Sequence, residues 1–337
     1  MRRIIVTFML ASLVAVAVAG GAWVLVTPSP ASAEFPGHNG RIAFMKLDSA
    51  EHWQTWVADK DLSDQVKLTS ESANSGWAVW NPGGTKLAFD SNRGDPDPTD
   101  SDLINDVFTM NPDGTGLVRL THSGFNDAAG WSPDGEQIAF GSDRRNGAGT
   151  GREEIYIMRS DGSQARRVST LPEKAYYDSA PRFSPNGNRL VFTRYINEEE
   201  LSALFTVNVD GSGLKQITPW GISTGDADWA PDGKKLVVEV DNRCHGEIYT
   251  VDPDGKNLKN ITHNTCHGGI ADPVWSPNGK KILFTQAHDF NGGFAFGLAT
   301  MNPDGTDRHY ILPNPTTNSE KDMHQSDWES VPYSGTR

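Results

Sequence analysis

Five similar turns recur along the chain at a nearly constant spacing, and this repeat limits the possible folds more than any other feature. Each turn begins with an aromatic residue, has a proline two positions later and ends in glycine. The prolines lie 51, 52, 46 and 46 residues apart. A repeat of this length predicts similar supersecondary units that pack side by side. The aromatic residues that begin the turns are Trp80, Trp131, Phe183, Trp229 and Trp275.

Each unit is predicted to be a sheet of four short antiparallel strands. In the third unit, the turn at Pro133 leads into apolar runs at 138–140 and 155–158, and Asp161-Gly162 marks a second hairpin before the last run. Proline presets the first corner of such turns, and glycine supplies the left-handed conformation that closes them. The chain has 34 glycines and 20 prolines, a composition that favours many short strands joined by tight turns.

The fold class that follows is all-β, a six-bladed β-propeller of four-stranded antiparallel blades. A single sheet of this kind cannot bury both of its faces, whereas radial stacking covers them. The aromatic residue at the end of each first strand is expected to wedge between neighbouring blades. The first unit, starting at Arg41, lacks its innermost strand, and residues 325–328 resemble that strand. We therefore expect the carboxyl-terminal strand to complete the first blade.

The turns, strand runs and hairpins resemble the TolB-like WD-like β-propeller repeat family. Residues 131–169 match the family pattern almost throughout, and the resemblance extends over residues 40–330. The resemblance implies a propeller that serves as a protein-binding module, as a filter in front of a peptidase domain or, in some members, as an enzyme. The chain resembles the propeller only, without the TolB amino-terminal domain or a peptidase domain.

The first 33 residues are predicted to be a secretory signal peptide. Arg2 and Arg3 precede an apolar run at 4–26, and small residues follow at 31–33, which is the order of a basic region, an apolar core and a cleavage site. An uncleaved amino-terminal membrane anchor is the alternative, because the apolar run could span a bilayer. An extracellular, periplasmic or cell-surface protein is expected. The predicted segments are the signal peptide at 1–33, a linker at 34–40, the propeller at 41–330 and a tail at 331–337.

The chain is acidic, with 43 Asp and Glu residues against 30 Lys and Arg residues and a formal net charge of −13. Removal of residues 1–33 takes away two arginines and no acids, so the net charge becomes −15. Such a surface repels phosphate backbones, and nucleic acid is therefore not an expected partner. The charge suits cations or a basic partner, or it simply keeps an exported protein soluble.

Aspartates recur where the loops between blades enter the innermost strands, and they are the first candidate binding residues. If they surround one end of the central channel, a calcium ion bound by oxygen ligands is one way to offset their repulsion. The alternative is that each aspartate caps its own loop by accepting backbone N–H groups. These residues are Asp127, Asp178, Asp226, Asp272 and Asp327.

Two Cys-His-Gly sequences, which start at Cys244 and Cys266, form a second candidate. Both are predicted on the same face of the fifth blade, so an exported protein is expected to join these cysteines in a disulfide. Closing a loop of about 22 residues would stabilise the fold by about 3 kcal/mol. A zinc site that also uses His245 and His267 is the alternative, although adjacent residues in an extended chain point to opposite sides.

The expected binding surface is the face of the ring that carries the longer connections, which we call the long-loop face. Tyr177 and Trp220 are aromatic candidates on it, and His245, His267 and His324 are candidate acids or bases. The first hypothesis is a non-catalytic binding or scaffold module for a protein or glycan partner. The alternative is a hydrolase or lyase with a metal-assisted site at the channel, and a third hypothesis is a spacer held at the membrane.

Overall fold

The computed structural model describes residues 38–95, 105–145, 152–196, 201–241, 246–263, 269–290, 293–311 and 323–331, apart from positions 71 and 174. These residues form six antiparallel sheets of four strands each and one short 3-10 helix, Trp220–Ile222. The strands of the first half are β1 (His38–Leu47), β2 (Trp53–Ala58), β3 (Val66–Lys67), β4 (Ser75–Trp80), β5 (Leu87–Ser91), β6 (Asp106–Met110), β7 (Val118–Arg119), β8 (Asn126–Trp131), β9 (Gln137–Ser142), β10 (Glu154–Arg159), β11 (Arg166–Arg167) and β12 (Ala175–Phe183).

The same pattern continues through the second half of the described chain. Its strands are β13 (Arg189–Ile196), β14 (Leu201–Asn208), β15 (Lys215–Gln216), β16 (Thr224–Trp229), β17 (Leu236–Val240), β18 (Glu247–Val251), β19 (Lys259–Asn260), β20 (Ile270–Trp275), β21 (Ile282–Phe290), β22 (Gly293–Met301), β23 (His309–Tyr310) and β24 (Met323–Val331). Blades two to six each take four consecutive strands, from β4–β7 to β20–β23.

Blade one joins the two ends of the described chain. Its strand order is β24-β1-β2-β3, and Ile42 in β1 pairs with Trp328 in β24. The Arg41 side chain donates to both carboxylate oxygens of Glu329, from Nε at 3.0 Å and from Nη2 at 3.1 Å. The prediction of a six-bladed ring closed by the carboxyl-terminal strand is therefore confirmed.

Six apolar clusters hold the ring together, one at each interface between neighbouring blades. Trp131 of blade three packs with Val79 and Val107 of blade two, and Phe183 of blade four packs with Ile155 of blade three. At each interface an aromatic residue from the end of an innermost strand reaches the blade before it, so the predicted wedges lie between blades. The other four wedges are Trp80, Trp229, Trp275 and Trp328.

In five blades, a hydroxyl group that follows the outer strand hydrogen-bonds to the backbone of the third strand. Two residues after the fourth strand, a Ser or Thr hydroxyl accepts a backbone N–H from the third strand. For example, Val107 donates to Thr121 at 2.9 Å and Ile155 donates to Ser169 at 2.8 Å. These bonds give a physical reason why a hydroxyl residue recurs at the same distance after the fourth strand. The five hydroxyls are those of Thr69, Thr121, Ser169, Thr218 and Thr262.

Each innermost strand contains a register shift, a β-bulge, two to four residues before its aromatic wedge. In three blades, the residue three positions before the wedge has positive φ: Trp77 at 50°, Ala180 at 53° and Asp272 at 53°. A bulge leaves one residue outside the ladder and changes the direction of its side chain. The position three residues before the wedge is thereby available to line the channel.

Within the described part of the chain, no helix is long and apolar enough to span a membrane. The predicted signal peptide at 1–33 lies outside the described residues, so cleavage and anchoring both remain predictions.

Deletion of residues 323–337 is expected to abolish cooperative folding. The deletion removes β24 and exposes the edge of β1, and Trp328 alone is worth about 3–5 kcal/mol as a buried aromatic. That is a large part of the 5–15 kcal/mol by which domains are typically stable. Thermal unfolding followed by tryptophan fluorescence, with size-exclusion chromatography, measures the effect. Deletion of 332–337 alone is the control and should leave the melting temperature within a few degrees. A native transition without β24 would contradict the closure.

Candidate functional site

The central channel is narrow and is lined by the innermost strands. Two cavities along it have volumes of about 20 and 30 Å³, which leaves room for about one or two water molecules each. Arg182 of β12 lines both cavities. The innermost strands begin at the long-loop face, so their early residues surround that end of the channel. We call this end the channel mouth, and define it by Asp127, Asp226, Glu239 and Asp272.

Asp226 and Asp272 occupy equivalent positions, three residues before the wedges of blades five and six. Both line the same channel cavity as Arg182. Glu239 of β17 lies beside Asp272. Its Oε2 accepts the backbone N–H of Asp272 at 3.2 Å. The Thr285 hydroxyl donates to Asp272 Oδ2 at 3.0 Å. Three carboxyl groups from two blades therefore meet at this side of the channel mouth.

Electrostatics at the channel mouth disfavour full ionisation. Burial raises the pKa of Asp226 to about 7, repulsion from Asp272 adds to the effect, and Arg182 opposes it. Burial and the charges of Asp272 and Asp226 raise the pKa of Glu239 well above its usual range. Burial, followed by the charge of Asp226, also raises the pKa of the Tyr195 phenol. A positively charged group that enters here would lower these pKa values and release protons.

A second acidic group links blades two and three. Asp127 Oδ1 and Glu153 Oε2 are both buried and both lie beside Gly141, and the two carboxyl groups hydrogen-bond to each other. Burial and the charge of Asp127 raise the pKa of Glu153. The two carboxyl groups can therefore share a proton at neutral pH, an arrangement of one acid and one base.

Asp90 of β5 belongs to the same acidic group. It is 5% exposed, and its Oδ1 has no hydrogen-bond partner in the described structure. Asn105 Nδ2 donates to its Oδ2 at 2.9 Å. Burial, with a further contribution from the charge of Asp127, raises the pKa of Asp90 to about 8. The group is therefore costly to ionise.

Asp327 connects two blades. Its Oδ2 accepts the backbone N–H of Trp80 in blade two at 2.7 Å. Asp228 accepts the N–H of Trp275 in the same way, also at 2.7 Å. Each aspartate directly precedes the wedge of its own blade and binds the wedge of the next blade. Asp327 thus joins blades one and two across the closure of the ring.

Asp178 lies in a buried ion pair with Arg194. Its carboxylate oxygens accept from Nε at 2.6 Å and from Nη2 at 2.7 Å, and the Ser169 hydroxyl donates to it at 2.6 Å. The Arg194 guanidinium also lies over the rings of Phe192 and Phe205. These contacts join Asp178 to its own blade and to blade three, and separate its role from that of Asp226 and Asp272.

The aromatic candidates on the long-loop face pack mainly against other aromatic rings. Tyr177 stacks on Tyr195 with ring centroids 4.3 Å apart, and Tyr176, which is 50% exposed, meets its edge at 6.3 Å. Trp220 lies 5.6 Å from Phe205 and is half-buried. Tyr176, next to these two candidates, is thus the most exposed of the three aromatic residues.

The histidine and cysteine candidates fall largely outside the described residues. Cys244, His245, Cys266 and His267 all lie there, so the disulfide stays a prediction. His324 belongs to β24, where its backbone pairs with Met45, and its side chain is not described. Among the side chains that the structure describes, no group of three His, Cys, Asp or Glu residues could hold a metal ion. The calcium site likewise stays a prediction.

Sequence reasoning missed four charged residues near the channel: Asp90, Glu153, Arg182 and Glu239. Asp90 and Glu239 occupy equivalent positions in the second strands of blades two and five, each in a run of buried residues. An acid in an otherwise apolar inner strand was therefore an available signal. No comparable signal identifies Arg182, because its role depends on the bulge geometry.

Comparison with protein families supports the repeat assignment. Residues 170–322 match the TolB β-propeller domain. An uncharacterised protein of Agrobacterium fabrum is 34% identical over 180 residues, which is 50% of this chain and 56% of that protein. The chain spans about half or less of the length of the curated relatives it matches.

Solved structures show the same fold at low sequence identity. The crystal structure of TolB from Acinetobacter baumannii is similar with a TM-score of 0.67 and 19% identity, over 86% of this chain and 67% of that chain. An oligogalacturonate lyase from Vibrio parahaemolyticus gives a TM-score of 0.52 and 14% identity, over 75% of this chain and 73% of that chain. The fold is thus shared by proteins whose names indicate different functions.

Asp90→Asn is expected to stabilise the protein at pH 8 by on the order of 5 kcal/mol and to have little effect near pH 4. The pKa of Asp90 is about 8 in the folded state, against roughly 3.9 in an unfolded chain. The folded protein therefore binds more protons between these values, and stability is lost as the pH rises through them. An asparagine can still accept the Asn105 hydrogen bond. Urea unfolding across this pH range measures the difference.

Asp113→Asn is the matched control for this prediction. Asp113 lies at an exposed turn, where the Thr115 hydroxyl and backbone N–H lower its pKa. Its replacement should bring no gain in stability at high pH. Parallel pH profiles for wild type and Asp90→Asn would show that Asp90 ionises at little cost.

Proposed function

We propose, on the premise that this chain carries a TolB-type β-propeller, that it is an exported, non-catalytic binding module whose channel mouth holds a basic segment of a protein partner. The observation that supports this proposal is the excess of carboxyl groups at the mouth. Asp127, Asp226, Glu239 and Asp272 gather there, and Arg182 is the basic residue among the described residues that line the channel cavities.

Mutual repulsion among these carboxyl groups favours a positively charged partner in this proposal. Burial and mutual repulsion oppose ionisation of Asp226 and Glu239, and a nearby cation favours the ionised form. A lysine or arginine of a partner would therefore be bound by groups that the free protein cannot fully ionise. Complementary charge also accelerates encounter with a basic partner.

The dimensions of the channel support binding at the mouth rather than through the ring. Cavities of about 20 and 30 Å³ admit water but not a polypeptide chain. A glycan partner without positive charge would gain little from the acidic groups, so a protein is the favoured partner. Export outside the cytoplasm rests on the signal-like segment at 1–33.

The double substitution Asp226→Asn/Asp272→Asn is expected to weaken binding of a fluorescein-labelled oligolysine peptide by at least about tenfold. A charge-assisted hydrogen bond is worth about 1.5–3 kcal/mol, and each 1.4 kcal/mol is a tenfold change in affinity. Fluorescence anisotropy at physiological salt measures the affinity. A repeat at high salt tests whether the attraction is electrostatic.

Asp113→Asn/Asp161→Asn is the matched control, because it removes two carboxylates from exposed turns on the opposite face of the ring. Its expected effect is less than about twofold, since a Debye length of about 8 Å screens exposed charges. Equal weakening by both double variants would show that only net charge matters. Unchanged binding by the mouth variant would refute the proposal.

A metal-assisted hydrolase or lyase is the second candidate, favoured by the Asp127–Glu153 pair. A protonated carboxyl beside a carboxylate can provide a general acid and a general base. On this hypothesis, purified protein should contain bound divalent metal and should cleave glycan or peptide substrates. Chelation should abolish the cleavage, and so should Glu153→Gln. Elemental analysis and activity screens with and without chelator test it; a metal-free, inert protein would exclude it.

A further inference from the structure

A pocket of about 460 Å³ opens on the long-loop face between blades five and six. We call it the side pocket. It is far larger than the two channel cavities, and its volume falls within the 300–1,000 Å³ typical of ligand sites. The described residues that line it include Glu239, Asp241, Ile270, Ala271, Ala287 and Phe296.

The walls of the side pocket divide into an apolar part and an acidic part. Ile270, Ala271, Ala287 and Phe296 are contributed by blade six, whereas Glu239 and Asp241 come from the end of the second strand of blade five. An occupant that suits both parts has an apolar stem and a positively charged end. Neither part alone would select such an occupant.

Glu239 connects the side pocket with the channel mouth. Glu239 lines the side pocket, and its carboxylate accepts the backbone N–H of Asp272, which lines the channel cavity. A chain that lies across the channel mouth therefore passes beside the entrance of the side pocket. This continuity favours a side chain of a bound polypeptide over a free small cation.

We propose that the side pocket takes the side chain of one arginine residue of the polypeptide partner. The proposal rests on the proposed function, because the partner's backbone must lie at the channel mouth. The aliphatic stem packs against Ile270, Ala271 and Ala287, and the guanidinium reaches Glu239 and Asp241. Long basic side chains commonly bury their stems along apolar surface in this way.

Arginine fits the side pocket better than lysine for two reasons. The planar guanidinium donates two parallel hydrogen bonds to a carboxylate, and it is more weakly hydrated than an ammonium group, so entry into a partly apolar site costs less. The remaining apolar lining residue, Phe296, adds to the surface against which the aliphatic stem can pack.

The test compares three labelled peptides that differ at one central position of the oligolysine probe: arginine, its uncharged isostere citrulline, or lysine. Wild-type protein should bind the arginine peptide about tenfold more tightly than the citrulline peptide and several-fold more tightly than oligolysine. Glu239→Gln should remove most of the preference for arginine. Ala287→Phe, which fills the pocket, should remove it entirely.

Controls separate this inference from the proposed function. Glu136→Gln makes the same substitution at an exposed hairpin on the opposite face and should keep the full preference for arginine. Near-ultraviolet circular dichroism checks the fold of each variant, and Asp241→Asn, at an exposed residue, gives a second test if Ala287→Phe does not fold.

Equal binding of the arginine and citrulline peptides by wild type would overturn the side-pocket assignment. Oligolysine binding as tight as that of the arginine peptide would do the same. If Asp226→Asn/Asp272→Asn still weakens all three peptides, the proposed function survives that result. If this double variant binds every peptide normally, the proposed function itself fails.

Discussion

The aromatic wedge between neighbouring blades is the contact on which the rest of the structure depends. A four-stranded sheet exposes two apolar faces, and each face here is covered by the next blade around a large ring such as Trp80 or Trp229, both 1% exposed. Because six interfaces must all close, β24 pairs with β1 to complete blade one, and its Trp328 packs against blade six. Each Trp or Phe therefore contributes to a circular arrangement in which removal of one blade leaves two apolar faces unprotected.

Close packing at these interfaces also determines where ligands can bind. The wedges and the small residues around them bring the innermost strands together, and the channel shrinks to cavities of about 20 and 30 Å³. The β-bulges then direct Asp226 and Asp272 into this narrow space, where burial raises the pKa of Asp226 to about 7. The long-loop end of the channel is acidic because the ring brings these side chains together there. Little water separates them, so their ionisation is disfavoured.

The architecture was predictable from the sequence to a greater extent than the site. Each repeat carries its own local signals, such as the turn residues Pro133 and Gly135. The regular spacing of the wedges follows from the same local sequence pattern. The side chains that meet at the channel mouth depend on three-dimensional position. Asp226 and Asp178 look alike as loop-end aspartates, yet a bulge directs one to the channel and Arg194 binds the other. Glu239 was missed because its strand reads as apolar core, and only the fold brings it beside Asp272.

Burying the carboxyl groups near the channel costs free energy, and this cost bears on what these groups do. Asp90 has one carboxylate oxygen without a hydrogen-bond partner in the described structure, and burial raises the pKa of Glu153 beside Asp127. A ring held only for stability would gain from neutral residues here, since an unpaired buried charge costs several kcal/mol. The exposed turns show that the same chain pairs its acids where stability alone matters, as Asp161 does with Ser163. Buried carboxyl groups with raised pKa values, gathered at one end of the channel, mark that end as a candidate functional site.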